Sequence, residues 1–313
     1  MIGVYIMKHF LKASVCMLLC GTLLCGCSRD GDQSSAPDKI SVSDTESVKQ
    51  SSPFPVSSCG VRLEKAVERA VSLSPATTEL ICELGFKDRL VGISDYCDFP
   101  EGLSAPKVGS TENPDIDTIV ELAPDAVFTL SELSERERYT LNQANIAVLT
   151  AQPPKNMEGY SALYKDIAAA FYGKETTDSE KGTEKAVEIG SNARLALEKA
   201  AKDVSLESFV YVTEKLTVAG ADTFENAVLG LSGKNVCGGT GYVSADSITE
   251  SPQFIIADDS LDYDSLSGDE TLSGYIEGGA QVKFVDASAF ERPTARTADI
   301  FGEISGAAAP EGE

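Results

Sequence analysis

Residues 70–85 read AVSLSPATTELICELG, a strand, a turn and a helix in sixteen positions. Ala70 to Leu73 is a short apolar run of strand length. Ser74 is a good helix N-cap and Pro75 is preorganised for the first helical position. Leu80, Ile81 and Leu84 then recur at helical spacing, and Gly85 ends the helix. The pattern repeats to the C-terminal side: a strand at Val91–Ser94, a helix at 115–123 between Pro114 and Pro124, a strand at Ala126–Thr129, a helix at Leu133–Asn145 and a strand at Ala147–Thr150. A second cycle has strands at 209–212, 254–257 and 283–286, with helices at 223–231, 244–250 and 294–304. Between the cycles, Thr177–Lys202 places Ala186, Ile189, Ala193, Leu197 and Ala200 on one helical face and charges elsewhere, which predicts one amphipathic helix with no strand inside it.

Strands alternating with helices predict an α/β fold with parallel sheets covered on both faces. Two cycles joined by one helix predict two Rossmann-like lobes with a ligand cleft between them: residues 61–176, a linker helix at 177–203, and residues 204–313.

The N-terminus is of a different kind. Residues 1–26 hold Lys8 and Lys12, no acid, and an apolar run from Ala13 to Leu24. Such a run is too short to span a bilayer, which needs about 20 residues, and reads as a signal peptide. It ends in Leu24-Cys25-Gly26-Cys27, which resembles the lipobox of bacterial lipoproteins. That resemblance implies acylation of Cys27 and attachment to the outer face of the cell membrane, since two or more chains anchor stably where one does not. Residues 28–60, rich in Ser and Asp, lack the apolar content to offset their ordering entropy. Residues 27–60 are therefore expected to be a lipidated cysteine and a flexible tether.

Composition excludes several classes of function. The formal net charge of −23 argues against nucleic acid and anionic headgroups as partners. The single histidine, His9, lies in the leader, so the mature chain lacks the usual zinc sites, Ser-His-Asp and Cys-His catalysis and histidine-ligated haem. No enzyme activity, resident cofactor or metal site is expected. Cys59, Cys82, Cys97 and Cys237 have no metal-like spacing, and no bridge among them is assigned.

Residues 69–80, RAVSLSPATTEL, resemble the R-V-V-S-L-x-P-x-x-T-E-x-L opening of the periplasmic cobalamin/iron-siderophore binding proteins of ABC importers. Residues 94–100, SDYCDFP, resemble that family's S-D-Y-x-x-Y-P loop. Gly109 with Asn113 to Asp125, and in the second half 219–224, Asn235, Val243-Ser244, 290–293 and Arg296, follow the family's order. The resemblance covers about residues 67–305. It implies a monomeric substrate-binding protein with a rigid linker helix and little hinge closure, which delivers a small molecule to a permease dimer and its ATPase. A corrinoid is the expected ligand on the strength of the 94–100 loop. A ferric siderophore is the alternative, as is haem, for which Tyr96 or Tyr242 would be the axial ligand. A lipid-anchored sensor or adhesion module is the reading from another class.

In open parallel sheets, ligands bind beyond the carboxyl ends of the strands. That rule makes Ser74, Pro75, Ala76, Tyr96, Thr111, Glu112, Thr129, Tyr242, Glu291 and Arg292 the candidate ligand residues. Tyr96 and Tyr242 offer flat amphipathic area, and Arg292 a cation for a phosphate, carboxylate or amide oxygen. By the same resemblance Asp117 and Asp246 fall where family members carry the acids that dock into arginine pockets on the permease, each one methylene shorter than the usual Glu.

Overall fold

A computed structural model describes residues 53–174 and 183–306. In the first lobe β3 (Ala70–Ser72) lies between β4 (Leu90–Ile93) and β5 (Ala126–Thr129), with β6 (Ala147–Thr150) beyond, all parallel in the order β4-β3-β5-β6. The inner strands β3 and β5 are buried at every position, as both-face coverage requires. Val71, Leu73 and Val127 pack with α2 (Ile116–Leu122) and α3 (Glu135–Gln143), while Ala70, Ala126 and Phe128 face a second layer. Helix α1 (Pro75–Glu83) begins at the expected Ser74, but the serine side chain makes no capping bond. Its end is as anticipated: Gly85 sits at φ +86°, and Phe86 N–H donates to Ile81 O at 2.9 Å.

The tether ends earlier than residue 60. β1 (Val56–Ser58) pairs antiparallel with β2 (Val61–Leu63) across Cys59-Gly60, both at positive φ as a tight hairpin turn demands. Ser58 is buried and its hydroxyl donates to Asp166 O at 2.7 Å, so residues 53–60 belong to the body. Asp166 lies on α4 (Met157–Tyr172), a helix the sequence reading did not name.

Helix α5 (Thr183–Ala201) falls inside the expected 177–203 span, of which 177–182 lie outside the described residues. It packs on α4 and on the 3-10 turn Ala295–Asp299 of the second lobe. Gly190 permits the close approach: a Cβ there would stand 3.0 Å from the Tyr164 ring.

The second lobe's sheet is mixed rather than wholly parallel. β7 (Glu207–Val212), β9 (Gly233–Asn235), β11 (Phe254–Asp258) and β12 (Gln281–Val285) run parallel, whereas the short β8 (Val218–Ala219) is antiparallel to both its neighbours, β7 and β10 (Tyr242–Val243). Around it lie α6 (Phe224–Leu229), α7 (Tyr263–Ser267), α8 (Glu270–Glu277), α9 (Ala287–Phe290) and α10 (Ile300–Ser305). The helix expected at 244–250 is only a 3-10 turn, Ala245–Ser247, because Ile248 bridges back to Cys237 and Thr249 N–H donates to Val236 O. The closing helix is split at Asp299 into that 3-10 turn and α10; the Thr297 hydroxyl bonds to Arg292 O and Thr294 O tighten its first part.

One apolar core runs through both lobes. It joins Phe128 and Phe171 to Phe209, Ile256 and Phe301, and Tyr160 of α4 stacks on Phe224 of α6 with centroids 5.8 Å apart.

Candidate ligand cleft

Two cavities open where the carboxyl ends of both sheets face one another, and they share Ser74, Pro75, Leu130 and Glu214. The larger, about 630 Å³, extends over the first lobe to Ser94, Tyr96, Ser110, Thr111 and Glu112. The smaller, about 430 Å³, extends over the second to Asp258, Asp259, Ser260, Ser288 and Glu291. Ends of β3, β4 and β5 thus meet ends of β7, β11 and β12, the crevice expected of open α/β sheets.

Ser74, Pro75 and Ala76 line both or one of these cavities as expected, at the N-terminus of α1 where first-turn N–H groups have no intrahelical acceptor. Tyr96 is 70% exposed on the 94–100 loop. That loop is fixed by Asp95 N–H donating to Gly109 O at 2.8 Å and Gly109 N–H to Asp95 Oδ1 at 3.0 Å. Gly109 lies at φ +84° and a Cβ would come within 2.3 Å of Asn113 O, so only glycine closes this turn. Thr111 and Glu112 also line the cleft.

Three expected ligand residues are placed differently. Thr129 is fully buried beneath the cleft floor; its hydroxyl, shared with Thr111 Oγ1 at 2.9 Å, positions that neighbour instead of facing solvent. Tyr242 lines neither cavity; it is 55% exposed and its hydroxyl donates to the buried Glu225 carboxylate at 3.0 Å. Arg292 reaches the cavity wall, but its charge is used to join the lobes. It donates to the fully buried Glu79 at 2.6 Å and to both oxygens of Asp98. Burial alone would lower the Arg292 pKa, and the bonds to Asp98 and Glu79 outweigh it and hold the group above its ordinary value; at Glu79 the balance is reversed, burial outweighing Arg292, Arg296 and Thr294 and holding that carboxyl above its usual range. Arg296 adds a contact to Glu79 at 3.3 Å and lies 4.4 Å over the Phe99 ring, and the Thr294 hydroxyl donates to Glu79 at 3.1 Å. One turn on, Glu83 accepts from Ala295 N–H and Tyr164 OH. Helix α1 therefore grips residues 292–296 with two carboxylates at i, i+4.

Glu291 does line the cleft, and accepts from Tyr211 OH at 2.9 Å. Burial, reinforced by the nearby Glu225, lifts its pKa from 4.5 to about 7. The strand-end rule, applied to the end of β11, would also have found Asp258 and Asp259; Glu214 follows β7 in the same way.

Asp117 is exposed in the first turn of α2, which Asp115 caps by accepting from Thr118 N–H at 3.1 Å. Asp246 is exposed on the 3-10 turn and accepts from Ser244 Oγ at 3.2 Å and Thr271 Oγ1 at 2.9 Å. Cys59, Cys82, Cys97 and Cys237 are free thiols, and Cys27 lies outside the described residues.

The profile of the family described as periplasmic binding protein matches residues 71–229, half of the chain. An uncharacterized ABC transporter substrate-binding lipoprotein of Bacillus subtilis, YvrC, is 24% identical over 223 residues, 68% of each chain. A vitamin B12-binding protein of Yersinia pestis is 43% identical over 67 residues, 20% of this chain and 23% of that relative. Among solved structures, the vitamin B12-binding protein BtuF of Vibrio cholerae superposes with a TM-score of 0.59 at 18% identity, over 77% of this chain and 96% of its own. A periplasmic heme-binding protein of Pseudomonas aeruginosa gives 0.61 at 20% identity, over 79% and 94%. These superpositions show that the fold is shared.

Proposed function

Because the chain belongs to the periplasmic binding protein family, we propose that it is the substrate-binding lipoprotein of an ABC importer and captures a corrinoid in the cleft between its lobes. The observation that carries this reading is the crevice itself, where Tyr96, the α1 N-terminus and Glu291 converge from separate lobes. A cleft of this breadth suits a large flat ligand, and Tyr96 offers an aromatic face to stack on it. The corrinoid assignment rests on the 94–100 loop and agrees with the local identity to a vitamin B12-binding protein. Ferric siderophore or haem is the second reading, and the fold shared with a heme-binding protein supports it. Cys27 is the proposed lipid attachment site, in keeping with the lipoprotein description of the Bacillus relative.

Delivery rests on Asp117 and Asp246, which are exposed and lie outside both cavities. Losing one partly desolvated interfacial ion pair costs roughly 2–5 kcal/mol. Asp117→Ala and Asp246→Ala should therefore suppress cobalamin uptake and ATPase stimulation while cyanocobalamin affinity stays unchanged. Normal uptake in the double variant would remove the docking assignment. Failure of the native protein to bind cyanocobalamin would remove the corrinoid.

A further inference from the structure

The charged side chains of the cleft are mostly acids, and they are concentrated on the second lobe's wall. The first lobe contributes the positive end of α1, hydroxyls and one acid, Glu112. From the second lobe come Glu214, Asp258, Asp259 and Glu291. Cations do not balance them. Arg292 is committed to Glu79 and Asp98, and Lys215 is four-fifths exposed and stands 3.8 Å from Glu214.

Asp258 is the informative member. It is 5% exposed, at the last position of β11, and lines the cavity. Its Oδ1 accepts from Ser260 N–H at 2.7 Å, and Oδ2 has no hydrogen-bond partner among the described residues. Oδ2 keeps contact with solvent, so a donor entering the cavity can reach it. Burial together with Glu225, Asp258 and Glu214 raises the Glu291 pKa to about 7, so it carries its full charge only above neutral pH.

We propose that this wall selects by charge: the cleft takes a ligand that is uncharged or cationic and presents N–H donors to the second lobe, and it rejects polyanions of the same size. The proposal rests on the reading of the cleft as the ligand site. Under the corrinoid reading, the peripheral carboxamides would supply the donors. Ferric complexes would be divided by charge, tris-hydroxamate cations being accepted and tris-catecholate trianions refused.

The test uses the full-length lipoprotein in detergent and two pairs of probes matched in size. One pair is cyanocobalamin and its derivative with the peripheral amides hydrolysed to carboxylates. The other is a cationic ferric tris-hydroxamate and a trianionic ferric tris-catecholate. In whichever pair binds, the non-anionic member should bind at least about tenfold tighter at low salt, and the margin should shrink as salt screens the wall. Glu214→Gln combined with Asp259→Asn removes two exposed charges, and the margin should narrow in this variant. An anionic probe that binds as tightly as its partner, or a margin unchanged in the double variant, would overturn charge selection while leaving the cleft as ligand site. Absence of binding by all four probes would overturn the corrinoid and siderophore readings of the cleft and the selection built on them.

Discussion

Replacing Glu79 by Gln keeps the shape of the side chain and removes the charge on which the lobe junction turns. Glu79 is fully buried and accepts from Arg292, Arg296 and Thr294, all contributed by the other lobe. Breaking a buried pair by removing one partner typically costs 3–5 kcal/mol, because the abandoned charge remains desolvated. Here Arg292 keeps Asp98, and Arg296 keeps Phe99 and Asp286 at 3.5 Å, so the lower end, about 3 kcal/mol, is expected. Asp98 supplies the internal control. Its side chain is 54% exposed, and pairs that face water contribute about 0.2–1 kcal/mol, so Asp98→Asn should cost at most about 1 kcal/mol. At 2–4 °C per kcal/mol for a body of this size, Glu79→Gln should lower Tm by roughly 6–12 °C. Urea titration and thermal scans of both variants, with Arg292→Met to complete a double-mutant cycle, would measure the coupling. A Glu79→Gln variant no less stable than Asp98→Asn would refute the junction as a buried electrostatic lock.

Glu291 should make stability depend on pH. Its folded pKa of about 7 exceeds its ordinary 4.5, so the folded chain holds the proton more tightly and stability is lost as pH rises from 4.5 through about 7. Tyr211, Glu225, Asp258 and Glu214 face it and would remain in Glu291→Gln. That variant should therefore gain on the native protein above pH 7, by roughly 3 kcal/mol at most from 1.36 kcal/mol per tenfold change in proton affinity, and show no gain near pH 4.5; equal pH profiles would refute the assignment. Cys27→Ser should move the protein from the membrane to the soluble fraction with its ligand binding intact, and continued membrane retention would rule out the lipid anchor.

The strands were legible to the residue where one composition meets one environment. Ala126–Thr129 and Ala147–Thr150 are short apolar runs between turn signals and fold as such. Helix α4 carried the same signal as α5 and was passed over: Tyr160, Leu163, Tyr164 and Ile167 to Phe171 form the buried face, and Glu158, Ala162, Lys165 and Asp166 recur at helical spacing on the exposed one. Hairpin β1–β2 was masked by serines that read as spacer, although Cys59-Gly60 makes the turn. At the site, Ser74, Tyr96 and Glu291 followed from the strand-end rule. Arg292 also reached the cavity wall by that rule, but its commitment to Glu79 was not legible, because that partner lies 213 positions away and nothing local announces the pairing. Its type promised an anion anchor, and tertiary contact turned it into a joint.

That joint bears on how a permease would learn that cargo is present. If the lobes stay bound through Glu79 and the shared core when ligand enters, Asp117 and Asp246 would keep one spacing whether the cleft is full or empty. An empty molecule would then present the same pair of carboxylates as a loaded one and compete for the same arginine pockets. Discrimination would have to come from the mouth of the cleft, where Tyr96 and Glu112 are covered by ligand or left bare. The rate of import would therefore depend on the ratio of loaded to empty protein at the membrane as well as on the number of loaded molecules.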